Sequence, residues 1–363
     1  MPDGYRSVPR PNGLQRLSID MITNDEPRRF NRNPQDMSSI EFVESYVANQ
    51  IIIPNDPRSY DLAYDKLQDV EALGRGNFGI VRKMIFTTTG TEMAVKRIRI
   101  AHNYADNSSV KSMQRFKQEV ETCKVASNCD EIVKFFGITF HEGDAWMCME
   151  LMDLSLDRLY LISHNIAKVP FQEASLGSVA VATINALEHL KTQHKIIHRD
   201  IKPSNILLDR NGSIKLCDFG ICGYLQNSVA QSVDAGCRPY MAPERIVPDS
   251  EGYDIKSDVW SLGVSMVEVA NGSYPYPGFA NSPIFNQIRM VVHGDPPIMH
   301  ATHFSPDMML FIAQCTIKDK AARADLPSLK DTEVYRMYST NDYKLDVGQF
   351  VFSMYGLRNQ IPL

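Results

Sequence analysis

Asp200, Lys202, Asn205 and Asp218 stand within one short stretch that reads HRDIKPSNILLD and then CDFG, so two carboxylates, an amide and an ammonium are near neighbours in the chain. Transfer of a γ-phosphoryl group asks for little covalent chemistry: a base near the acceptor hydroxyl, oxygen ligands for metal ions on the phosphates, and positioned positive charge. Each requirement has a candidate here. Asp218, opening Asp218-Phe219-Gly220, offers the hard carboxylate oxygen that Mg²⁺ takes while keeping several waters. A lone aspartate before Phe-Gly is more often a turn or N-cap residue. What selects the chemical reading is the ordered company downstream, SVAQS and then MAPER ending at Arg245.

These side chains need elements to hold them. Ile206-Leu207-Leu208 and Ile214-Lys215-Leu216 are short apolar runs around Arg210-Asn211-Gly212-Ser213, and Asn-Gly between such runs signals a hairpin. That hairpin would bring Asn205 and Asp218 together at its open end. Upstream, Leu73-Gly74-Arg75-Gly76-Asn77-Phe78-Gly79-Ile80-Val81 forms a glycine-rich loop in which Gly74, Gly76 and Gly79, lacking Cβ atoms, let the backbone approach phosphate oxygens. Dinucleotide-binding folds share this spacing but need a helix directly after it, whereas Ile80 to Phe86 reads as a strand. Met93-Ala94-Val95-Lys96 then places a lysine on the following strand.

A helix is expected from Val110 to Ala126, with Glu119 as the carboxylate partner of Lys96 and Glu121 as its competitor. Two positions apart on a helix, only one of the two can face the lysine. Ile132 to Phe140 and Ala145 to Glu150 make a second hairpin across Glu142-Gly143-Asp144, and Glu150-Leu151-Met152-Asp153 would link two lobes. Adenine would lie against that link, on backbone groups of Glu150 and Met152 with Met149 behind. Beyond it the pattern turns helical: Leu176, Ala180, Ile184 and Leu187 keep one apolar face, and Ser257 to Gly263 begins another helix. Asp258 near that start suits the helix dipole.

A chain of 363 residues exceeds the usual single domain and agrees with two lobes plus tails. Net charge −5 and a pI near 6.0 give no general basic surface for nucleic acid. Seven cysteines without a metal-like pair point to reduced thiols, hence the cytoplasm, with the nucleus left open. No apolar run is long enough for membrane insertion. Residues 1–37 are rich in Pro, Asn, Arg and Asp and read as a disordered tail. Within it Arg6, Arg10 and Arg16 interleave with Leu14, Leu17 and Ile19, the pattern of a docking motif for an acidic groove. Residues 38–63 read as a helix, opened by Ser38 and Glu41 as a capping box, followed by a linker.

The ordered motifs together resemble the protein kinase superfamily and, within it, the dual-specificity MAP kinase kinases of the stress-activated branch. The likeness runs from about Leu67 to about Tyr335. It implies an α+β, bilobal protein-kinase fold over 64–335, with a β-rich small lobe with one main helix over 64–150 and a larger, mostly helical lobe over 151–335. It also implies ATP and Mg²⁺ as cofactors. Asp200 would then be the catalytic base, Lys202 the cation beside the transferring phosphoryl, and Lys96 the phosphate-binding lysine paired with Glu119. Asn205 and Asp218 would be the metal ligands. Nucleotide would lie among Leu73, Gly74, Arg75, Gly76, Asn77, Phe78, Gly79, Val81, Ala94, Lys96, Met149, Glu150, Met152, Asn205 and Asp218.

SVAQS fits the family's activation pattern, which makes Ser228 and Ser232 the regulatory phosphorylation sites and Arg199 the receiver of their charge. The partners implied are a stress-activated MAP kinase downstream and a MAP kinase kinase kinase upstream. Asp258 resembles the aspartate that steadies the catalytic loop, and Arg323 the arginine that pairs with Glu244. Cys217 resembles a family cysteine that could meet thiol reagents, with small buried filler as the plainer reading. Two departures stand out: Cys222 where serine is common, and Lys320 to Ala324 in place of Glu-Arg-Pro. The amphipathic 346–355, in the segment 336–363, is either a docking segment for upstream kinases or a lobe-capping helix.

Overall fold

Tight turns with left-handed residues set the small lobe. Glu142 and Gly143, with φ of 51° and 79°, both occupy the left-handed region between the paired residues His141 and Asp144, which is the two-residue turn whose twist matches flanking strands. At the neighbouring hairpin Gly90 (φ 74°) donates its N–H to Phe86 O at 2.9 Å. The computed structural model describes residues 49–54, 56–76, 79–99, 120–218, 238–247, 254–340 and 343–361, all within one compact unit, Ser39–Leu363.

Seven antiparallel strands make the small-lobe sheet: β1 (Gln50–Ile52), β2 (Ser59–Asp61), β3 (Leu67–Gly76), β4 (Gly79–Phe86), β5 (Thr91–Arg99), β6 (Phe135–His141) and β7 (Asp144–Met149). Their spatial order is β2-β1-β6-β7-β5-β4-β3. One face buries Ile51, Leu62, Met84, Phe86, Met93, Val95 and Trp146. The helix expected at the start of 38–63 lies outside the described residues, while the stretch read as its following linker carries strands at 50–52 and 59–61, which extend the sheet beyond β6. Ile51 pairs with Gly137, where a side chain would collide with the Gln50 carbonyl at 2.6 Å, so the glycine is what lets β1 lie down. Of the helix expected over 110–126, residues 120–126 are described and are helical.

A second, three-stranded sheet of β8 (Leu154–Ser155), β9 (Ile206–Leu208) and β10 (Ile214–Leu216) joins the lobes. The helices that follow β8 are α1 (Leu156–Leu161), α2 (Glu173–His189), α3 (Pro243–Ile246), α4 (Lys256–Asn271), α5 (Ile284–His293), α6 (Pro306–Cys315), α7 (Leu326–Lys330), α8 (Glu333–Thr340) and α9 (Lys344–Tyr355). Helix α4 is buried from Ser257 to Ala270, and the polar side chains it takes inside are partnered: Asp258 by backbone N–H groups and Glu268 by the hydroxyls of Tyr160 and Tyr240. Its serines avoid leaving hydroxyls unpaired by bonding back one turn, Ser261 to Ser257 O and Ser265 to Ser261 O. Leu176, Ala180, Ile184 and Leu187 of α2 share the same core. The segment expected at 346–355 forms α9, which buries Val347, Phe350, Val351 and Met354 against the large lobe, sets Phe350 edge-on to Phe171 at 5.1 Å, and leaves Leu345 and Phe352 exposed.

Candidate active site

The β9–β10 hairpin forms, though by a longer turn than Asn-Gly alone suggests. Leu208 pairs with Ile214, and Asp209 ties the intervening residues by accepting at Oδ1 from the N–H groups of Asn211 and Ser213. At the open end the Cys217 N–H donates to Asn205 O at 2.9 Å, which brings Asn205 and Asp218 together. Main-chain bonds anchor the hairpin on both sides: Asp153 N–H to Leu208 O at 3.1 Å, and Val133 N–H to Leu216 O at 3.0 Å.

Asp200 Oδ2 accepts from Lys202 Nζ at 2.8 Å and from Asn205 Nδ2 at 2.9 Å, while the same Asn205 nitrogen also donates to Asp200 O. Because its amide nitrogen is engaged there, Asn205 presents Oδ1 as the atom able to meet a metal. Asp200 Oδ1 accepts no hydrogen bond among the described residues and is the oxygen left for an acceptor hydroxyl. Lys96 Nζ lies 2.6 Å from Asp218 Oδ1, joining the small-lobe sheet to the hairpin. Burial would raise the Asp218 carboxyl, but Lys96 foremost, with Lys202 and His198, holds it below the ordinary carboxylate value. Asp218 (φ 59°) and Arg199 (φ 70°) sit in the left-handed region, about 1–3 kcal/mol of local strain each at most, and less for aspartate.

Two buried groups hold this geometry. Asp258, fully buried at the start of α4, accepts from the His198 N–H at 2.9 Å and the Arg199 N–H at 2.8 Å, and so fastens the catalytic loop by its backbone. Burial raises the Asp258 carboxyl against the opposing pull of His198 and Arg245. His198, equally buried, bridges the two aspartate segments: Nε2 lies 3.1 Å from Cys217 O, and Nδ1 accepts the Asp200 N–H at 3.3 Å. Burial lowers its pKa despite the nearby carboxylates, and the neutral Nε2–H tautomer fits both bonds. Sequence reasoning assigned this ring no role; its only signal was its place two residues before Asp200.

Strand register places the nucleotide candidates. Val81 opposes Lys96, and Ala94 opposes Met149, so these four share one face of the sheet, the face that meets Asp218. Leu73 and Gly74 are on β3, with Gly74 opposite Val81; the backbone of Arg75, Gly76 and Gly79 closes the β3–β4 hairpin. Asn77, Phe78, Glu119, Ser228 and Ser232 lie outside the described residues. At the link between the lobes, the Glu150 N–H donates to Lys134 O at 2.9 Å, leaving its carbonyl for a ligand, and its carboxylate accepts from Lys215 at 3.1 Å. Met152 is buried one residue before Asp153. Burial pushes the Cys217 thiol well above its ordinary value, although its surface is half-buried, unlike the buried Cys123, Cys129, Cys148 and Cys315.

Asn205 Oδ1 and the Asp218 carboxylate are hard oxygen donors, and one or two such protein ligands suit Mg²⁺, which keeps waters and phosphate oxygens in its shell. The donor set fits that ion. Farther off, Glu244 and Arg323 form a bidentate pair at 2.7 and 3.0 Å.

The protein kinase domain model matches residues 67–334. MAP kinase kinase mkk-4 of Caenorhabditis elegans is 44% identical over 313 residues, covering 85% of this chain and 84% of that protein. The dual specificity mitogen-activated protein kinase kinase sek-1 of the same organism is 41% identical over 282 residues, 77% of this chain and 81% of that protein. Hemipterous of Drosophila melanogaster, also named as a dual specificity mitogen-activated protein kinase kinase, is 39% identical over 293 residues, 80% of this chain and 24% of that protein. The chain belongs to the protein kinase family and, within it, to the MAP kinase kinases, which makes it an ATP-dependent dual-specificity protein kinase.

Proposed function

We propose that this kinase transfers the γ-phosphoryl of ATP, held with Mg²⁺, to threonine and tyrosine in the activation loop of a stress-activated MAP kinase. In this reading an upstream MAP kinase kinase kinase switches it on by phosphorylating Ser228 and Ser232. The observation that carries the chemistry is Asp200 with one oxygen engaged by Lys202 and Asn205 and the other left open. Asp200 Oδ1 receives the hydroxyl proton of the acceptor as the phosphoryl departs from ATP. Lys202, beside it, offsets the negative charge of the transferring group. Lys96 exchanges part of its hold on Asp218 for the α- and β-phosphates, and Asp218 and Asn205 are the residues that would hold the metal, which would supply neutralisation of phosphate charge.

Regulation rests on charge. Each added phosphate carries roughly −1.5 to −2 at neutral pH, enough to order a segment by pairing with arginine. Arg199, next to Asp200 and fastened to Asp258 by its N–H, is the receiver we assign. The test uses Ser228→Asp with Ser232→Asp to activate the protein, a panel of kinase-dead MAP kinases as acceptors, and mapping of the modified residues. Phosphothreonine and phosphotyrosine in a stress-activated substrate are expected. Phosphate on serine alone would overturn dual specificity, and full activation of Ser228→Ala with Ser232→Ala by an upstream kinase would overturn the switch.

A further inference from the structure

Arg210, at the turn of the β9–β10 hairpin, connects three parts of the protein that lie far apart in sequence. Its N–H donates to Asp153 Oδ2 at 2.7 Å, and its guanidinium reaches Asp153 Oδ1 from Nε at 3.1 Å and from Nη2 at 3.0 Å. Asp153 is the last residue of the link between the lobes, directly after Met152, and its own N–H is fixed to Leu208 O. The guanidinium also lies over the ring of Tyr355, 4.3 Å from its centre, at the end of α9. Arg358 lies over the same ring at 4.0 Å, so the tyrosine has two cations against it, and the charge of Arg210 is balanced by Asp153.

Helix α9 is seated tightly enough to hold this arrangement. Gly212, in the hairpin turn with φ 82°, has no room for a Cβ because the Lys344 carbonyl occupies that place. From the other side, a Cβ on Gly348 would meet Arg210 O at 2.6 Å. Backbone therefore packs on backbone between α9 and the turn, with no flexible side chain between them to absorb movement.

We propose that Arg210 is a positioning residue for nucleotide: clamped between Asp153 and Tyr355, it locks the link between the lobes to the hairpin that carries Asn205 and Asp218, and α9 holds the lock closed. The assignment rests on nucleotide binding at the site described above. Its physical basis is preorganisation. Freed from Arg210, the link around Met152 samples more conformations, and the binding of adenine must then restrict them at the expense of affinity. The phosphoryl-transfer groups themselves stay in place through Asp258 and His198, so the loss falls on nucleotide affinity before it falls on turnover.

Titration of the full-length protein with a fluorescent ADP analogue, alongside KM for ATP, kcat and thermal unfolding, tests this. Arg210→Ala is expected to weaken analogue binding and raise KM for ATP by about threefold to tenfold, with kcat within about twofold. Arg210→Lys, which keeps the charge but loses the fork and the stacking, should recover part of the affinity. Tyr355→Leu should weaken binding in the same direction by less, and should add little in the Arg210→Ala background, because the tyrosine acts through the arginine. Wild-type analogue affinity in Arg210→Ala, with or without a fall in unfolding temperature, overturns the proposal, as does full additivity of the two substitutions. Should Arg210→Ala not fold, unchanged affinity in both Arg210→Lys and Tyr355→Leu overturns it equally. A wild-type protein that binds no analogue would sink the nucleotide site itself.

Discussion

Glu244 with Arg323, and Asp200 with Lys202 and Asn205, are both buried groupings of opposite charge in the large lobe, and they differ in completeness. Every N–H of the Arg323 guanidinium has an acceptor: Nε on Ile317 O, Nη1 on Glu244 and Lys256 O, Nη2 on Glu244 and Lys318 O. Trp260 lies beneath it at 5.1 Å, and Ser257 adds a bond to Glu244. Around Asp200 one carboxylate oxygen carries both partners and the other is left open. A fully satisfied buried pair holds structure, whereas an incompletely satisfied one leaves capacity for a substrate. The same contrast separates Asp258, whose two oxygens each take a backbone N–H, from Asp218, whose Oδ1 meets Lys96 in a contact that our proposal has the lysine share with phosphate.

Substitutions at these groups should pull stability and activity apart. The largest effect on folding is expected for Arg323→Ala, which strands the Glu244 carboxylate in the interior and should cost about 3–5 kcal/mol in denaturant unfolding. Adding Glu244→Leu to Arg323→Met should regain part of that loss, since an apolar pair leaves no charge uncompensated. A double mutant as unstable as Arg323→Ala alone would argue against the pair being purely structural. Next comes Asp258→Asn, in which an amide N–H₂ group must face one of two backbone N–H donors. We expect about 1–3 kcal/mol of lost stability and a fall of about 100-fold in phosphoryl transfer as the catalytic loop shifts. Unimpaired transfer in that variant would break the link between Asp258 and the loop.

The smallest effect concerns acid. Burial alone would raise the Glu244 carboxyl, but Arg323 outweighs it and holds the pKa below its ordinary 4.5. A carboxyl depressed in the folded state contributes stability that is fully present above its unfolded pKa and is lost as pH falls through the folded one. Wild-type protein should therefore lose stability on acidification from about pH 5 downward more steeply than Glu244→Gln does. Asp258, raised by burial, works in the opposite sense and is common to both proteins, so the difference between the two curves isolates Glu244. Parallel curves would contradict the assigned pairing.

Much of the catalytic centre could be read from local chemistry. The apolar runs around Asn211-Gly212 foretell the hairpin, whereas the roles of Asp258 and Arg323 come from the resemblance to the kinase family, since an acid at a helix start and a lone arginine carry no such signal locally. The strands β1 and β2 were illegible because each is only three residues long, Pro54 and Pro57 lie between them, and β1, on which β2 pairs, is stabilised by pairing to Gly137 far along the chain. The bridge made by the His198 ring is a tertiary fact with no local pattern. So is the meeting of Asp153, Arg210 and Tyr355: an aspartate at a lobe boundary, an arginine at a hairpin turn and a tyrosine at a helix end look like ordinary surface residues until the chain folds.

The claim that Asp200 serves chemistry while Glu244 and Arg323 serve the fold is tested most directly by Asp200→Asn in the activated, full-length protein, with phosphoryl transfer, nucleotide binding and unfolding measured on one preparation. The account predicts that transfer falls by about 10²–10⁴-fold while nucleotide affinity and unfolding temperature stay near those of the parent. Transfer at the parent rate, or a loss of stability comparable to that of Arg323→Ala, would contradict it.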